Sequence, residues 1–257
     1  MSSGFAFLDG ATPLAFAHRG GAAGGLENSM LAFQRSIDLG FRYLETDVHA
    51  TSDGVAVAFH DAALDRVTDR AGRVAALSWR EVAKARIGGR EPIVRLDDLL
   101  AAWPDVRVNL DVKATRAAGP MASAVRRAAA ENRVCLASFS DARVLAARRL
   151  LGPHVCSSPG VRGVAALRLA SYSTLAGWLL RTAAPCVQVP LRHHGRPFCD
   201  ERLIAAAHAR AMQVHVWTVD TAAEIDAVLD LGVDGVMTDR PEVLKDVLVA
   251  RGQWTGR

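Results

Sequence analysis

Short apolar runs alternate with amphipathic stretches from one end of the chain to the other, and no low-complexity linker divides them. Residues 14–18, 43–49, 106–112, 134–139, 154–156, 186–190, 213–218 and 234–237 have the length and composition of strands. Between them, 28–39, 95–103, 119–131, 141–151, 161–182, 200–210, 221–231 and 241–250 carry helical spacing. Ser140-Asp141, Asp200, Thr221 and Asp239-Arg240-Pro241 are helix-start signals, and Gly40, Gly152 and Gly232 suit helix ends. Eight strand–helix units in 257 residues predict a closed (β/α)8 TIM barrel, one domain over residues 1–257. An open doubly wound sheet would carry a glycine-rich nucleotide loop after an early strand, and His18-Arg19-Gly20-Gly21 is a poor one. One piece breaks the rhythm. Residues 55–59 read as a short extra strand, forming a hairpin with the end of the second strand over Ser52-Asp53-Gly54.

Alternation within the strands sorts the polar residues. Glu45 and Asp47 lie at i and i+2 and share one face, while Leu44, Thr46 and Val48 face the helices. Asn109, Asp111 and Lys113 repeat this in the third strand, with Leu110 and Val112 opposite. His18 ends the first strand and Trp217 lies near the end of the seventh. In a barrel these residues converge on the carboxyl-terminal rim, where barrel enzymes keep their active sites. Acids pointing inward are costly unless paired or metal-bound, so three of them on neighbouring strands call for a cation.

The composition is that of a globular protein, with 50% hydrophobic and 23% charged residues. A net charge of +4 favours anionic ligands weakly. No run of lysine and arginine interleaves with aromatics, which argues against nucleic acid. Cys135, Cys156, Cys186 and Cys199 form no CxxC pair and no short zinc spacing, so they read as buried thiols. The N-terminus lacks the features of a signal peptide, which points to the cytoplasm. The longest apolar stretch, 169–180, is too short to span a bilayer and contains Ser171, Ser173 and Thr174. The segment 161–182, interrupted by Arg162, Arg168 and Arg181, should bury one helical face. An alternative has Leu175, Trp178, Leu179 and Leu180 touching membrane or an acyl chain.

Two histidine-led clusters and a carboxylate pair lie close together: His18-Arg19-Gly20-Gly21, Glu45-Thr46-Asp47 and His60-Asp61. Such a set suits metal-assisted phosphate-ester cleavage. Further segments complete an ordered series: Glu27-Asn28-Ser29, Thr51-Ser52-Asp53-Gly54, then Leu64, Arg66 and Thr68, Asp111-Val112-Lys113, Trp217-Thr218-Val219, and Gly235 through Thr238-Asp239-Arg240-Pro241. In this order they resemble the glycerophosphodiester phosphodiesterase family over nearly the whole chain. The resemblance implies a (β/α)8 barrel that hydrolyses glycerophosphodiesters to glycerol 3-phosphate and an alcohol. Four departures stand out: Asp111 where the family usually has Glu, Leu26 where it has Pro, Asp220 where it has Asn, and little of the helical insertion that often follows the second histidine.

Glu45, Asp47 and Asp111 are therefore expected to hold one divalent cation, and oxygen-only ligands indicate Mg²⁺ or Ca²⁺ rather than zinc. His18 and His60 are the expected acid–base pair, as the resemblance also implies. Arg19 and Lys113 should grip phosphate oxygens; the plainer alternative is salt bridges to the same acids. Trp217 either lines the alcohol pocket or fills the barrel mouth. Asn28 matches the family motif and could equally cap the next helix. Gly20 and Gly21 permit a close backbone approach or a tight turn. His49 could support the site from behind, and His193 and His194 sit in a loop that could meet substrate. His215 reads as a satisfied core histidine, and His154 and His208 as structural. The expected partner is a small glycerophosphodiester. Two other readings are a lysophospholipase D-type enzyme and a catalytically idle barrel that binds phosphate esters.

Overall fold

The computed structural model describes residues 4–173 and 184–256. Eight parallel strands form the barrel wall: β1 (Leu14–Ala17), β2 (Tyr43–Ala50), β3 (Arg107–Val112), β4 (Val134–Ala137), β5 (Cys156–Ser157), β6 (Cys186–Pro190), β7 (Gln213–Trp217) and β8 (Gly235–Thr238). Helices follow them: α1 (Met30–Asp38), α2 (Leu96–Ala102), α3 (Ala118–Arg127), α4 (Asp141–Leu151), α5 (Val161–Ala170), α6 (Glu201–His208), α7 (Ala222–Asp230) and α8 (Pro241–Ala250). The ladder runs β6-β7-β8-β1-β2-β3-β4-β5. Among the described residues, β5 and β6 share no ladder; Gln188 N donates to Ser158 Oγ at 3.0 Å across that seam. The (β/α)8 expectation is met.

The caps follow the start signals in part. Asp200 accepts from Leu203 N and Thr221 from Glu224 N, as N-caps do. Ser140 makes no cap bond, whereas the Asp141 carboxylate accepts from Gly160, Arg162 and Gly163 N and so caps α5 instead. Ser29, not Asn28, caps α1 by accepting from Ala32 N. Gly40, Gly152 and Gly232 end helices at φ 98, 97 and 83°.

Two apolar layers hold the barrel. Leu44, Val48, Leu110, Val112, Val214 and Val216 pack outward against the helices, as alternation requires. Inside the barrel, Leu14, Phe16, Tyr43, Met237 and three cysteines form a second cluster. It is sealed at the strands' amino-terminal end by Phe7 and Leu8, with Tyr43 Oη donating to Phe7 O at 3.0 Å.

The predicted hairpin exists: Val48 pairs with Ala58 and Ala50 with Ala56. The stretch after it, to Val94, builds a small annex around Val57, Phe59, Leu64, Val74, Val82 and Ile87. Its strands are two residues long, too short to show a period. The helix predicted over 161–182 is described as Val161–Ala170. Residues 174–182, with Leu175, Trp178, Leu179, Leu180 and Arg181, lie outside the described residues. Among the described residues, no helix is long and apolar enough to cross a membrane.

Candidate active site

The chain leaves β1 through a tight turn, His18 to Gly20, with Arg19 at φ 51° and Gly20 at φ 77°. A Cβ on Gly20 would lie 2.8 Å from Phe33 N, and one on Gly21 2.9 Å from the Pro241 ring. These glycines let the turn sit tightly on α1 and α8. His18 is thereby aimed across the rim, and its Nδ1–H donates to Asp239 Oδ1 at 2.6 Å. Asp239 is itself placed by Asp220, which accepts from Asp239 N at 2.7 Å and from Thr238 Oγ1 at 3.0 Å.

His60 has a parallel arrangement. Its Nδ1–H donates to Asp61 Oδ1 at 2.6 Å. Arg66 binds Asp61 and also forks onto Glu27 at 2.7 and 3.1 Å. From behind, His49 Nε2 donates to His60 O at 3.2 Å, and burial depresses the His49 pKa, keeping that ring neutral. Both catalytic candidates are thus tied through Nδ1, which leaves Nε2 as the ring atom for chemistry.

On the inner face of β2, Glu45 Oε2 accepts from Arg19 N at 3.1 Å and lies 3.7 Å from His18 Nε2. Burial and the adjacent Asp47 push the Glu45 pKa up to about 7. Burial also works against ionisation of Asp47, but Lys113 at 2.8 Å and Arg19 Nε at 3.2 Å outweigh it and hold its pKa low. Asn28, at φ 58°, donates to Asp47 at 2.9 Å and accepts from Thr46 Oγ1 at 2.7 Å. It tethers the acid-bearing strand rather than capping a helix. Asp111 is the cross-strand partner of Asp47; burial raises its pKa, and Lys113 Nζ donates to it at 2.7 Å.

Arg19 and Lys113 therefore stand in ion pairs with the site's acids, the plainer of the two roles expected for them. The three carboxylates do not each bring an oxygen within 4.8 Å of the other two; among the described residues only a cysteine trio meets that spacing. Asp111 Oδ1 is nonetheless buried without a hydrogen-bond partner, and Glu45 is buried without a full counter-charge. In donor chemistry, an oxygen-only set with an orphaned oxygen and an acid disfavoured as an anion fits a hard divalent cation, and the spacing requires the three acids to draw together around it.

His18, Arg19, Glu45, Asp47, His60, Asp111, Lys113 and Trp217 all line one cavity of about 740 Å³. Apolar side chains line it too, among them Phe139, Val161, Val164, Leu169 and Phe198. Trp217 meets Phe139 edge-on at 5.5 Å, and Lys113 Nζ lies 5.7 Å from the Phe139 ring. Asn109 and Gln188 exchange hydrogen bonds at 2.8 and 3.3 Å across the barrel and also line the cavity. His193 reaches the cavity; His208 pairs with Asp234 at 2.8 Å, outside it. Asp61 and Asp239 as orienting partners escaped the sequence reading. Asp61 adjoins His60 within its motif, but Asp239 is 221 residues from His18, and neither its helix-start signal nor its place in the family series says which ring it holds.

The profile of the glycerophosphoryl diester phosphodiesterase family matches residues 18–243. The chain is 44% identical to a probable glycerophosphodiester phosphodiesterase of Mycobacterium tuberculosis, over 97% of this chain and 96% of the relative. Its fold matches the crystal structure of a Silicibacter pomeroyi protein assigned to the same class, with TM-score 0.83 and 22% identity, over 98% of this chain and all of that one. It also matches an Oleispira antarctica phosphodiesterase in complex with the product sn-glycerol-3-phosphate, with TM-score 0.77 and 18% identity, over 93% and 97% of the two chains. The chain belongs to the glycerophosphoryl diester phosphodiesterase family and is a hydrolase of glycerophosphodiesters.

Proposed function

We propose that His18 and His60 are the acid–base pair of this hydrolase, and that Glu45, Asp47 and Asp111 hold one divalent cation, Mg²⁺ or Ca²⁺. One observation carries the reading: two imidazoles in one cavity are each bound through Nδ1 to a carboxylate, His18 to Asp239 and His60 to Asp61. Each carboxylate fixes the tautomer and stabilises the imidazolium that forms when Nε2 takes a proton. One ring accepts the proton of the attacking hydroxyl, from water or from the substrate's own glycerol. The other returns a proton to the leaving oxygen as the P–O bond breaks. Attack by water gives glycerol 3-phosphate, the molecule held by the Oleispira antarctica protein, and an alcohol in one step; attack by the glycerol hydroxyl releases the alcohol and leaves a cyclic phosphate, one ring P–O bond of which water must then break to give glycerol 3-phosphate.

Lys113 has three N–H donors and spends two on Asp47 and Asp111, so one remains for a phosphate oxygen. Arg19 offers the same cavity a guanidinium fork. When bound, a hard cation at the three acids would neutralise phosphate charge. Four free, buried cysteines suit a reducing compartment, which supports a cytoplasmic enzyme.

Alanine variants of His18 and His60 test the assignment on glycerophosphocholine and on an ester with a 4-nitrophenyl leaving group. The variant lacking the acid should recover rate on the good leaving group, and the variant lacking the base should not. A folded alanine variant of either residue with undiminished kcat on both substrates refutes the pair. The apolar lining of Phe139, Val161, Leu169 and Phe198 supports a second reading, a lysophospholipid as substrate. Faster turnover of lysophosphatidylcholine than of glycerophosphocholine would favour it.

A further inference from the structure

Cys135, Cys156 and Cys186 are far apart in sequence but lie on the consecutive strands β4, β5 and β6, and all three side chains are buried inside the barrel. Cys135 is the register partner of Cys156, and its Sγ lies 3.9 Å from that of Cys186. All three sulfurs lie within 4.8 Å of one another. Sulfurs bound tetrahedrally to zinc at a Zn–S distance of about 2.3 Å stand about 3.8 Å apart.

His215 is on β7, the strand paired with β6, and is fully buried. Its Nε2 contacts Gln213 Oε1 at 3.2 Å, and an amide oxygen can only accept, so Nε2 carries the hydrogen. Nδ1 is then a lone pair, and it is buried with no partner. A ring whose second N–H is held by an oxygen while its lone pair stays open is the tautomer metal-binding histidines adopt. The ring stands beside the trio rather than within it: among the described residues no His215 nitrogen lies within 4.8 Å of all three sulfurs. The surrounding side chains are apolar: Leu14, Phe16, Tyr43 and Met237. Above, Asn109, the register partner of Cys135, joins Gln188 where both line the hydrolytic cavity. Hard oxygen donors and soft sulfur and nitrogen donors therefore occupy different levels of one barrel.

We propose that Cys135, Cys156 and Cys186 form a buried site for one thiophilic cation, Zn²⁺ foremost, beneath the hydrolytic site, and that His215 turns its open Nδ1 to the ion as a fourth donor when it binds. Soft thiolates select such an ion over Mg²⁺ or Ca²⁺.

The test uses the full chain, unfolded in denaturant with chelator and reductant, then refolded with one equivalent of Zn²⁺ or Co²⁺ so that the ion can reach the interior. The expected result is one zinc per chain surviving desalting in the wild type and in Glu45→Gln, and a thiolate-to-cobalt charge-transfer band. Cys156→Ala and Cys186→Ala, made separately, should lose both signals and any zinc-dependent rise in Tm. His215→Gln should weaken zinc at least tenfold. The cobalt spectrum of the wild type needs no variant. Its absence at stoichiometric cobalt would leave packed thiols only and overturn the proposal. So would zinc uptake that vanishes in Glu45→Gln yet persists in both cysteine variants, because that ion would belong to the carboxylates.

Discussion

Removing the Asp239 carboxylate isolates the contribution of one orienting bond. His18 Nδ1 donates to Asp239 at 2.6 Å, a charge-assisted hydrogen bond. Bonds of this kind contribute about 1.5–3 kcal/mol, and about 1.4 kcal/mol is a decade in rate, so Asp239→Ala should lower kcat/KM about ten- to a hundred-fold. Asp239→Asn separates two roles for His18. The amide can donate to Nδ1 and drive the proton to Nε2, which disables a base; in a serine-protease triad the equivalent change costs about 10⁴-fold. If His18 is the base, Asn should therefore be worse than Ala. If His18 is the acid, a proton on Nε2 is tolerable and Asn should be the milder change. The pH profile gives a second readout. Burial lowers the His18 pKa, but Glu45 and Asp239 outweigh it and the net shift is upward. Without Asp239, burial and Arg19 face Glu45 alone, so the His18 limb of kcat/KM should move to lower pH. The assay is glycerol 3-phosphate release from glycerophosphocholine across pH, with the urea midpoint as a folding control. A folded Asp239→Ala enzyme within twofold of wild type at every pH, with no displaced limb, would refute the reasoning.

Three further outcomes are expected. Gly20→Ala places a methyl 2.8 Å from Phe33 N at φ 77°, where backbone strain alone costs about 1–3 kcal/mol; urea unfolding should show a loss of that size or more, and a loss under 0.5 kcal/mol would contradict the close approach. Glu45→Ala should abolish turnover while the protein stays folded, and chelator should do the same to wild type until Mg²⁺ or Ca²⁺ is returned; full activity of the variant in chelator removes the cation from the acids. Asp200 has its pKa lowered chiefly by the Arg168 hydrogen bonds at 2.6 and 2.7 Å, so its stabilisation is complete above the ordinary carboxylate pKa and is lost as pH falls through the depressed folded value. Asp200→Asn keeps a capping side chain but not the ion pair, so its Tm deficit should be present at neutral pH and close at strongly acid pH; a pH-independent deficit would count against the pair.

What could be read from the sequence was whatever the strand period controls. Glu45 and Asp47 opposite Leu44 and Val48, and Asn109 and Asp111 opposite Leu110 and Val112, need no tertiary information beyond a lumen and a helical layer. What could not be read depends on closure. Asp239 reaches His18 because β8 pairs with β1, and the cysteine trio exists because β4, β5 and β6 follow one another around the wall. Local chemistry left Asn28 open: Asn28 and Ser29 are both good caps, and only the left-handed backbone at Asn28, which turns its amide to Thr46 and Asp47, decides between them. His215 was expected to be satisfied, yet one ring nitrogen has no partner.

The same alternation that aims the catalytic acids also builds the layer beneath them. β7 sends Gln213, His215 and Trp217 to one face and Val214 and Val216 to the other; β6 does so with Cys186, Gln188 and Pro190 against Val187 and Val189. Trp217 and Gln188 line the hydrolytic cavity, while His215 and Cys186 lie deeper. A one-residue slip of either strand would place valines in the lumen and polar groups among the helices, so the two levels cannot be repositioned independently. Substitutions at the sulfur layer should therefore reach the active site through strand placement: a change at Cys186 bears on Gln188, then on Asn109 through their paired amides, and Asn109 is the register partner of Glu45.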